Sequence, residues 1–254
     1  MSDFDPADAV ALAYVNSNEV TYSWHHSMIE MIGYDMAHKG RVLQGGYIAI
    51  RHGTGGLVEA RNKAIVSFLT EGRADWLFWI DTDMGFAPDT IDRLVESADP
   101  TERPIVGGLC FSQRETHADG MGGWRCAATP TIYDYVQMGD QHGFAVNWDY
   151  EPDSMVECAG TGSACILIHR SVFVKIEEQF GPAWYSRVQN KSMGQLVSED
   201  LSFCMHAMAA GFPLFVNTAV KTTHQKLLWL GELDYRNERK LGAPAPAQKA
   251  AGDE

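Results

Sequence analysis

Read as a string of apolar and polar positions, the chain alternates short unbroken apolar runs with longer stretches in which apolar residues recur every three or four places. The runs suit strands buried on both faces, and the spaced stretches suit helices with one buried stripe. Residues 9–15 form a first run that opens into polar NSNEV, and residues 22–39 carry Met28, Ile29, Ile32 and Met36 at helical spacing. Residues 46–50 predict a second strand, and residues 57–69 a helix with Val58, Ile65, Val66 and Leu69 inward. Trp76 to Ile80 is the least interrupted run, so it is the expected centre of the sheet. Pro88 suits the first turn of a third helix, whose buried stripe is Ile91, Leu94 and Val95. This β-α-β-α-β order implies parallel strands joined by right-handed crossovers.

Further on, residues 105–111 (IVGGLCF) read as a fourth strand, with Gly107 and Gly108 leaving room for a close backbone neighbour. From 112 to 153 the pattern loosens, apart from a hairpin expected from 131–137 and 144–148; such an irregular middle is where a substrate-specific region belongs. Residues 163–169 return to a buried strand, and Ser171 is the expected cap of a helix over 172–180. Residues 181–197, with Trp184 and Tyr185, read as a surface loop that selects an acceptor. Ser198 caps a helix through Ala210, ended by Gly211 and Pro213, before a last strand at 214–217. An amphipathic helix over 226–240 follows, and its Leu227, Leu228, Leu230 and Leu233 leave self-association open. The expected organisation is one catalytic domain over 1–240 and a disordered tail over 241–254.

Charge narrows the class of partner. Lys plus Arg number 20 against 33 Asp plus Glu, a formal net charge of −13, which argues against non-specific binding to nucleic acid or anionic membranes. The five cysteines form no C-x-x-C pair, so neither a disulfide framework nor a thiolate zinc site is suggested. With no charged-then-apolar leader and no run long enough to span a membrane, a soluble cytoplasmic protein is expected.

The chemistry gathers where the central run ends, in WIDTDMGF. Ligands of open α/β sheets sit beyond the carboxyl ends of the strands. Asp81 and Asp83 there repel each other and lose water, so they call for a cation; as hard oxygen ligands they suit Mg²⁺ or Mn²⁺, which also holds a diphosphate. A calcium loop is excluded, since Gly85 holds its fifth position and Phe86 the sixth, where glycine is required. No G-x-x-x-x-G-K-[ST] phosphate loop occurs either.

Several segments in order, ARN at 60–62, WLFWIDTDMGF at 76–86, VGGL at 106–109, AGTGSACILIHRSVF at 159–173, SED at 198–200 and TTH at 222–224, make the chain resemble a GT-A-fold glycosyltransferase of the large inverting family. The resemblance implies an α/β fold with a mostly parallel central sheet flanked by helices and a small antiparallel hairpin region. It also implies transfer of a sugar from a nucleoside-diphosphate sugar to an acceptor hydroxyl with inversion, dependent on Mn²⁺ or Mg²⁺. On this resemblance Asp83 and His224 hold the metal, with Asp81 a further ligand or a ribose contact. Arg61 and Asn62 line the nucleotide pocket, Val15 to Ser17 lie under the base, and Gly162 approaches the sugar. Asp200, after Glu199, is the base that takes the acceptor proton. Two alternatives stay open: a nucleotidyltransferase acting on a sugar phosphate, and a non-catalytic nucleotide- or sugar-binding protein. The first lacks the expected Gly-rich basic loop, and the second gives no reason for a metal triad.

Overall fold

The computed structural model describes residues 5–16, 18–53, 55–118, 123–138, 141–190 and 195–226. From the amino end run β1 (Val10–Asn16), α1 (Tyr22–Ala37), a short α2 (Arg41–Gly45), β2 (Tyr47–Arg51), α3 (Gly56–Thr70) and β3 (Trp76–Ile80). Next come β4 (Met84–Gly85), α4 (Thr90–Ser97) and β5 (Ile105–Leu109). The middle supplies β6 (Phe111–Ala118) paired with β7 (Gly123–Pro130), β8 (Ile132–Met138) paired with β9 (Gln141–Val146), then β10 (Met155–Cys158) and β11 (Gly160–Thr161). The order is completed by β12 (Cys165–His169), α5 (Arg170–Phe180), β13 (Val188–Asn190), β14 (Gln195–Val197), α6 (Glu199–Ala209), β15 (Leu214–Lys221) and β16 (Thr223–His224).

Seven strands form the main sheet in the order β10-β15-β5-β12-β3-β1-β2. β1 pairs parallel with β2 and β3, and β15 parallel with β5, while β12 and β10 run against their neighbours. Five strands therefore point one way, and their carboxyl ends share an edge. β3 is buried along its whole length. Its alternate residues feed two cores: Leu77 and Trp79 join Ile65, Phe68 and Phe173, and Trp76, Phe78 and Ile80 join Trp24, Met31 and Leu94. Each such side chain contributes about 1.5–3 kcal/mol by leaving water, which is why so apolar a run takes the centre. Cys110, Cys158, Cys165 and Cys204 are free and buried, and desolvation pushes the Cys158 thiol up to about 12.

Chain contacts divide the protein into two compact units. One is Met1–Ser112 with Pro130–Gln225 and holds the main sheet; the other is Gln113–Thr129 with Lys226–Glu254, whose described part is most of β6 and β7 and Lys226. The single domain expected over 1–240 spans both, and the expected tail over 241–254 lies outside the described residues, as does the amphipathic helix after Lys226. Among the described residues no helix is long and apolar enough to cross a membrane.

Several expectations are corrected. α1 buries Trp24, Met28 and Met31, leaving Ile29, Ile32 and Met36 on its outer side, so the predicted stripe was about a quarter-turn out of phase. On α3, Val66 is likewise exposed. Trp184 and Tyr185 are not an acceptor-reading surface loop: they are 1% and 0% exposed, with Trp184 Nε1 donating to Phe173 O at 2.7 Å. The cap of α5 is His169 rather than Ser171, its ring accepting from Ser171 N. Ser198 does cap α6, accepting from Leu201 N. The last strand reaches Lys221 through a bulge after Asn217. Gly108 makes that course feasible, because a Cβ there would stand 3.1 Å from Cys165 Sγ and 3.3 Å from Val220.

Candidate functional site

Three local arrangements bring polar groups to the carboxyl edge of β3. Asp81 follows β3 directly, and its N–H donates to Ala164 O at 3.0 Å, tying it to the loop before β12. A turn closes with Met84 N donating to Asp81 O at 3.2 Å, which places Asp83 at its tip. β16 then pairs antiparallel with β4, His224 opposite Met84, and Gln225 N donates to Asp83 O at 2.8 Å. The chain's last described strand is thus folded back onto the turn that carries both aspartates. Thr21 N also donates to Thr82 O at 3.0 Å, and Ser27 Oγ accepts from Phe86 N at 3.0 Å, so α1 is stitched to the same turn.

His224 Nε2 lies 3.0 Å from Asp83 Oδ2, and its Nδ1 lies 2.7 Å from Phe111 O. A carbonyl oxygen only accepts, so Nδ1 must carry the proton. Nε2 then faces the carboxylate either as the second N–H of an imidazolium or as a bare lone pair. Two acceptors at that distance require a positive charge between them, a proton or a metal ion. A ligating histidine whose other nitrogen donates to a backbone carbonyl is the usual arrangement of a metal site. Among the described residues no group of three or more His, Cys, Asp or Glu is gathered around one point to hold a metal. A metal ion placed here would take one carboxylate and one imidazole from this pair, and the rest of its ligands would have to come from a bound molecule or water.

Beside this pair lies a second charged group centred on Arg61, which is 1% exposed. Its Nη2 donates to Asp81 Oδ1 at 3.0 Å and stands 3.6 Å from Asp200 Oδ1. Its guanidinium lies over Trp79 at 5.2 Å and Tyr185 at 5.4 Å. Nε and Nη1 make no hydrogen bond among the described residues. Burial alone would loosen the arginine's proton, but Asp81 and Asp200 more than offset it, so the group is held charged. For Asp81 burial dominates: it raises the carboxyl above its usual range although Arg61 pulls the other way, and Asp200 and Asp83 add to the push. About a third of that side chain is still open, so a ligand can reach a carboxylate that protein otherwise surrounds.

The structure thus brings Asp83 with His224, and Asp81 with Arg61 and Asp200. Asp81 is turned to the guanidinium. Asn62 spends its amide on Tyr185, Nδ2 donating to the backbone O and Oδ1 accepting from the backbone N, both at 2.9 Å. Gly162 has ordinary contacts with Thr131, whereas a Cβ at Gly160 would stand 2.7 Å from Leu201 and 3.0 Å from Phe144, so the tight glycine of that pair packs against α6 and β9. Val15 is the last residue but one of β1, near the same edge, and Ser17 lies outside the described residues. Glu199 opens α6 next to Asp200. Missed from sequence were Tyr185 and Trp79 as the aromatic walls around Arg61, and Phe111 as the carbonyl that orients His224. A carbonyl has no sequence signal, and the aromatics looked like ordinary core or loop.

No family model matches the sequence, and no curated protein does so either. Among solved structures, A197 from STIV aligns with 85% of this chain and 86% of its own at 16% identity, with a TM-score of 0.44. GalNAc-T7, crystallised with UDP, GalNAc and Mn²⁺, aligns with 96% of this chain at 12% identity and a TM-score of 0.50. The alignment covers 46% of that protein, so this chain spans about half its length. The likeness to GalNAc-T7 is one of fold: a GT-A-like α/β architecture with a mostly parallel seven-stranded sheet, flanking helices and small antiparallel sheets.

Proposed function

We propose that this protein is a metal-dependent glycosyltransferase that moves a sugar from a nucleoside-diphosphate sugar to an acceptor hydroxyl, with inversion. The observation that carries the reading is the Asp83–His224 pair, whose imidazole is oriented by Phe111 O and whose facing atoms a proton or a metal ion would join. It stands at the carboxyl edge of a GT-A-like sheet, where such a cation would meet a ligand. Mn²⁺ or Mg²⁺, held by Asp83 and His224, supplies Lewis-acid stabilisation of charge on the departing diphosphate. GalNAc-T7 was crystallised with UDP and Mn²⁺, which makes UDP the first nucleotide to try.

The chain's own residues divide the remaining work. Asp81, partly open beside Asp83, contacts the donor, and Val15 flanks the nucleotide. Arg61 is buried too deeply to reach far into solvent, so its part is to fix Asp81 and Asp200 with respect to each other. Asp200, held at 3.6 Å from the guanidinium without a short hydrogen bond, keeps its carboxylate free to take the acceptor proton as the new bond forms. Fixing both substrates in line supplies much of the remaining acceleration.

The test is calorimetric titration of UDP and other nucleoside diphosphates with and without Mn²⁺, followed by donor hydrolysis. Binding that requires Mn²⁺ and is lost in Asp83→Ala and His224→Ala is expected. Equal affinity with a chelator present, or in both variants, overturns the metal site. Release of pyrophosphate from a nucleoside triphosphate in the presence of a sugar phosphate, with formation of the nucleoside-diphosphate sugar, assigns a nucleotidyltransferase instead.

A further inference from the structure

β2 is an edge of the seven-stranded sheet among the described residues, and its backbone shows which groups face outward. Leu12 N donates to Gly46 O at 3.0 Å and His52 N to Asn16 O at 2.6 Å, so the even-numbered residues of this segment turn their amides and carbonyls towards β1. Tyr47, Ala49 and Arg51 therefore present theirs to the open side. An unbroken edge with no proline or lysine is a template for another strand.

We propose that two copies of this chain associate through β2, pairing antiparallel about a two-fold axis at Ala49 and joining their sheets. Of the symmetric registers, this one pairs all three outward-facing residues. Ala49 faces itself and Tyr47 faces Arg51 of the second copy, twice. All three positions are the outward-facing ones, so each pair exchanges two backbone hydrogen bonds, as an antiparallel ladder requires. A register shifted by one residue would match outward groups with inward ones and make none. The side chains agree with the backbone: Tyr47 is 73% exposed, Arg51 is exposed on the same face, and a guanidinium beside a phenol ring is favourable where two arginines would clash.

The surroundings of the strand fit a second copy as well. Tyr47, Ala49 and Arg51 pair in register with Leu12, Tyr14 and Asn16, on the sheet face that α1 covers. On the outer side of α1 stand Ile29, Ile32 and Met36, with Leu43 on α2, and Gly33 between them has open space where a side chain would be. A two-fold axis at Ala49 puts this face and its copy on the same side of the joined sheet. Charge also changes here. Residues 18–53 carry Glu19, Glu30, Asp35, Lys39, Arg41 and Arg51, three of each sign, although the chain as a whole is at −13. A surface that is neutral and apolar on an acidic protein can meet itself without the repulsion that would oppose contact elsewhere.

The full chain is examined by sedimentation velocity across the micromolar range, with three variants. The wild type is expected to show a reversible dimer. Ala49→Pro removes an N–H that bonds nothing in its own sheet, so melting is unchanged while the dissociation constant rises about thirty-fold, the loss of the two central bonds. Tyr47→Lys sets a lysine opposite Arg51 and also weakens the dimer. Adding Arg51→Glu to Tyr47→Lys restores it, a rescue that only this register provides; should the proline variant fail to fold, this charge exchange decides alone. A wild type that stays monomeric throughout overturns the proposal. So does a dimer that Tyr47→Lys leaves intact, which would assign association to another surface.

Discussion

Two arginines bracket β3, and they are satisfied in opposite ways. At the amino end Arg170 donates to four backbone carbonyls, those of Phe68, Leu69, Gly72 and Ala74, at 2.7–3.3 Å, and lies 4.3 Å over the Phe68 ring. At the carboxyl end Arg61 is more deeply buried, yet bonds only to Asp81 and leaves two of its nitrogens without a partner among the described residues. Burial loosens the Arg170 proton, with Asp75 opposing weakly; for Arg61 the carboxylates reverse that outcome. A cation bonded throughout to neutral carbonyls closes a helix end and a loop, which is structural work. An under-bonded cation between two carboxylates is expensive to bury and is kept where chemistry needs it. On the proposed function, the contrast separates the end of the sheet that holds the fold from the end where the reaction would take place.

The sharpest way to break this contrast is at Asp200. Asp200→Asn should lower transfer by roughly 10²–10⁴-fold, the usual contribution of a general base, with donor affinity and melting temperature close to wild type. Glu199→Gln is the control, and if it alone fails the base is Glu199. Next in size is the cation pair: Asp83→Ala or His224→Ala should weaken Mn²⁺-dependent nucleotide binding by roughly 10²-fold, read by calorimetry, because neither remaining ligand is enough alone.

Exchanging each arginine for lysine sharpens the comparison directly, since a lysine lacks the planar fork. Arg61→Lys should cost turnover up to roughly 10²-fold through misplacement of Asp81 and Asp200, while melting moves little. Arg170→Lys should do the reverse, costing about 2 kcal/mol of stability with kinetics intact. Equal losses of turnover in both would erase the distinction. The smallest effect is expected from Asn62→Ala, which removes both bonds to Tyr185 and should cost about 1–2 kcal/mol in a denaturant titration.

What the sequence made legible follows from how local each signal is. β3, β5 and β12 were readable because a strand buried on both faces must be apolar throughout, and Ser198 because a cap acts within three residues. The phase of α1 was not, since Ile29 and Met31 are equally apolar and only the packing against Tyr14 and Trp76 chooses between them. α2 and β10 are too short to show a period. Asp81, Asp83, Arg61, Asp200 and His224 could be nominated from motif order, but their grouping into two charged clusters depends on contacts spanning up to 141 positions, such as His224 to Asp83. Trp184 and Tyr185 carried no period at all, and their burial is imposed by Phe173 of α5, Asn62 of α3 and Ser163 of the turn before β12.

The four buried thiols give the molecule an internal clock. Cys165 and Cys204 flank the segment from Gly160 to Ala164, and Cys110 follows β5; burial raises the thiols of Cys158 and Cys204, and a hydrogen bond with Cys110 together with burial raises that of Cys165, so these three stay protonated in the closed protein. Modification by a thiol reagent must then wait for each segment to open, and its rate measures how often that happens. With Cys126 replaced by serine, labelling followed residue by residue would time the opening of the sheet edge beneath the candidate site separately from the opening of α6. Slowing of the first by a nucleotide and Mn²⁺, with the second unchanged, would locate the ligand without any knowledge of the acceptor.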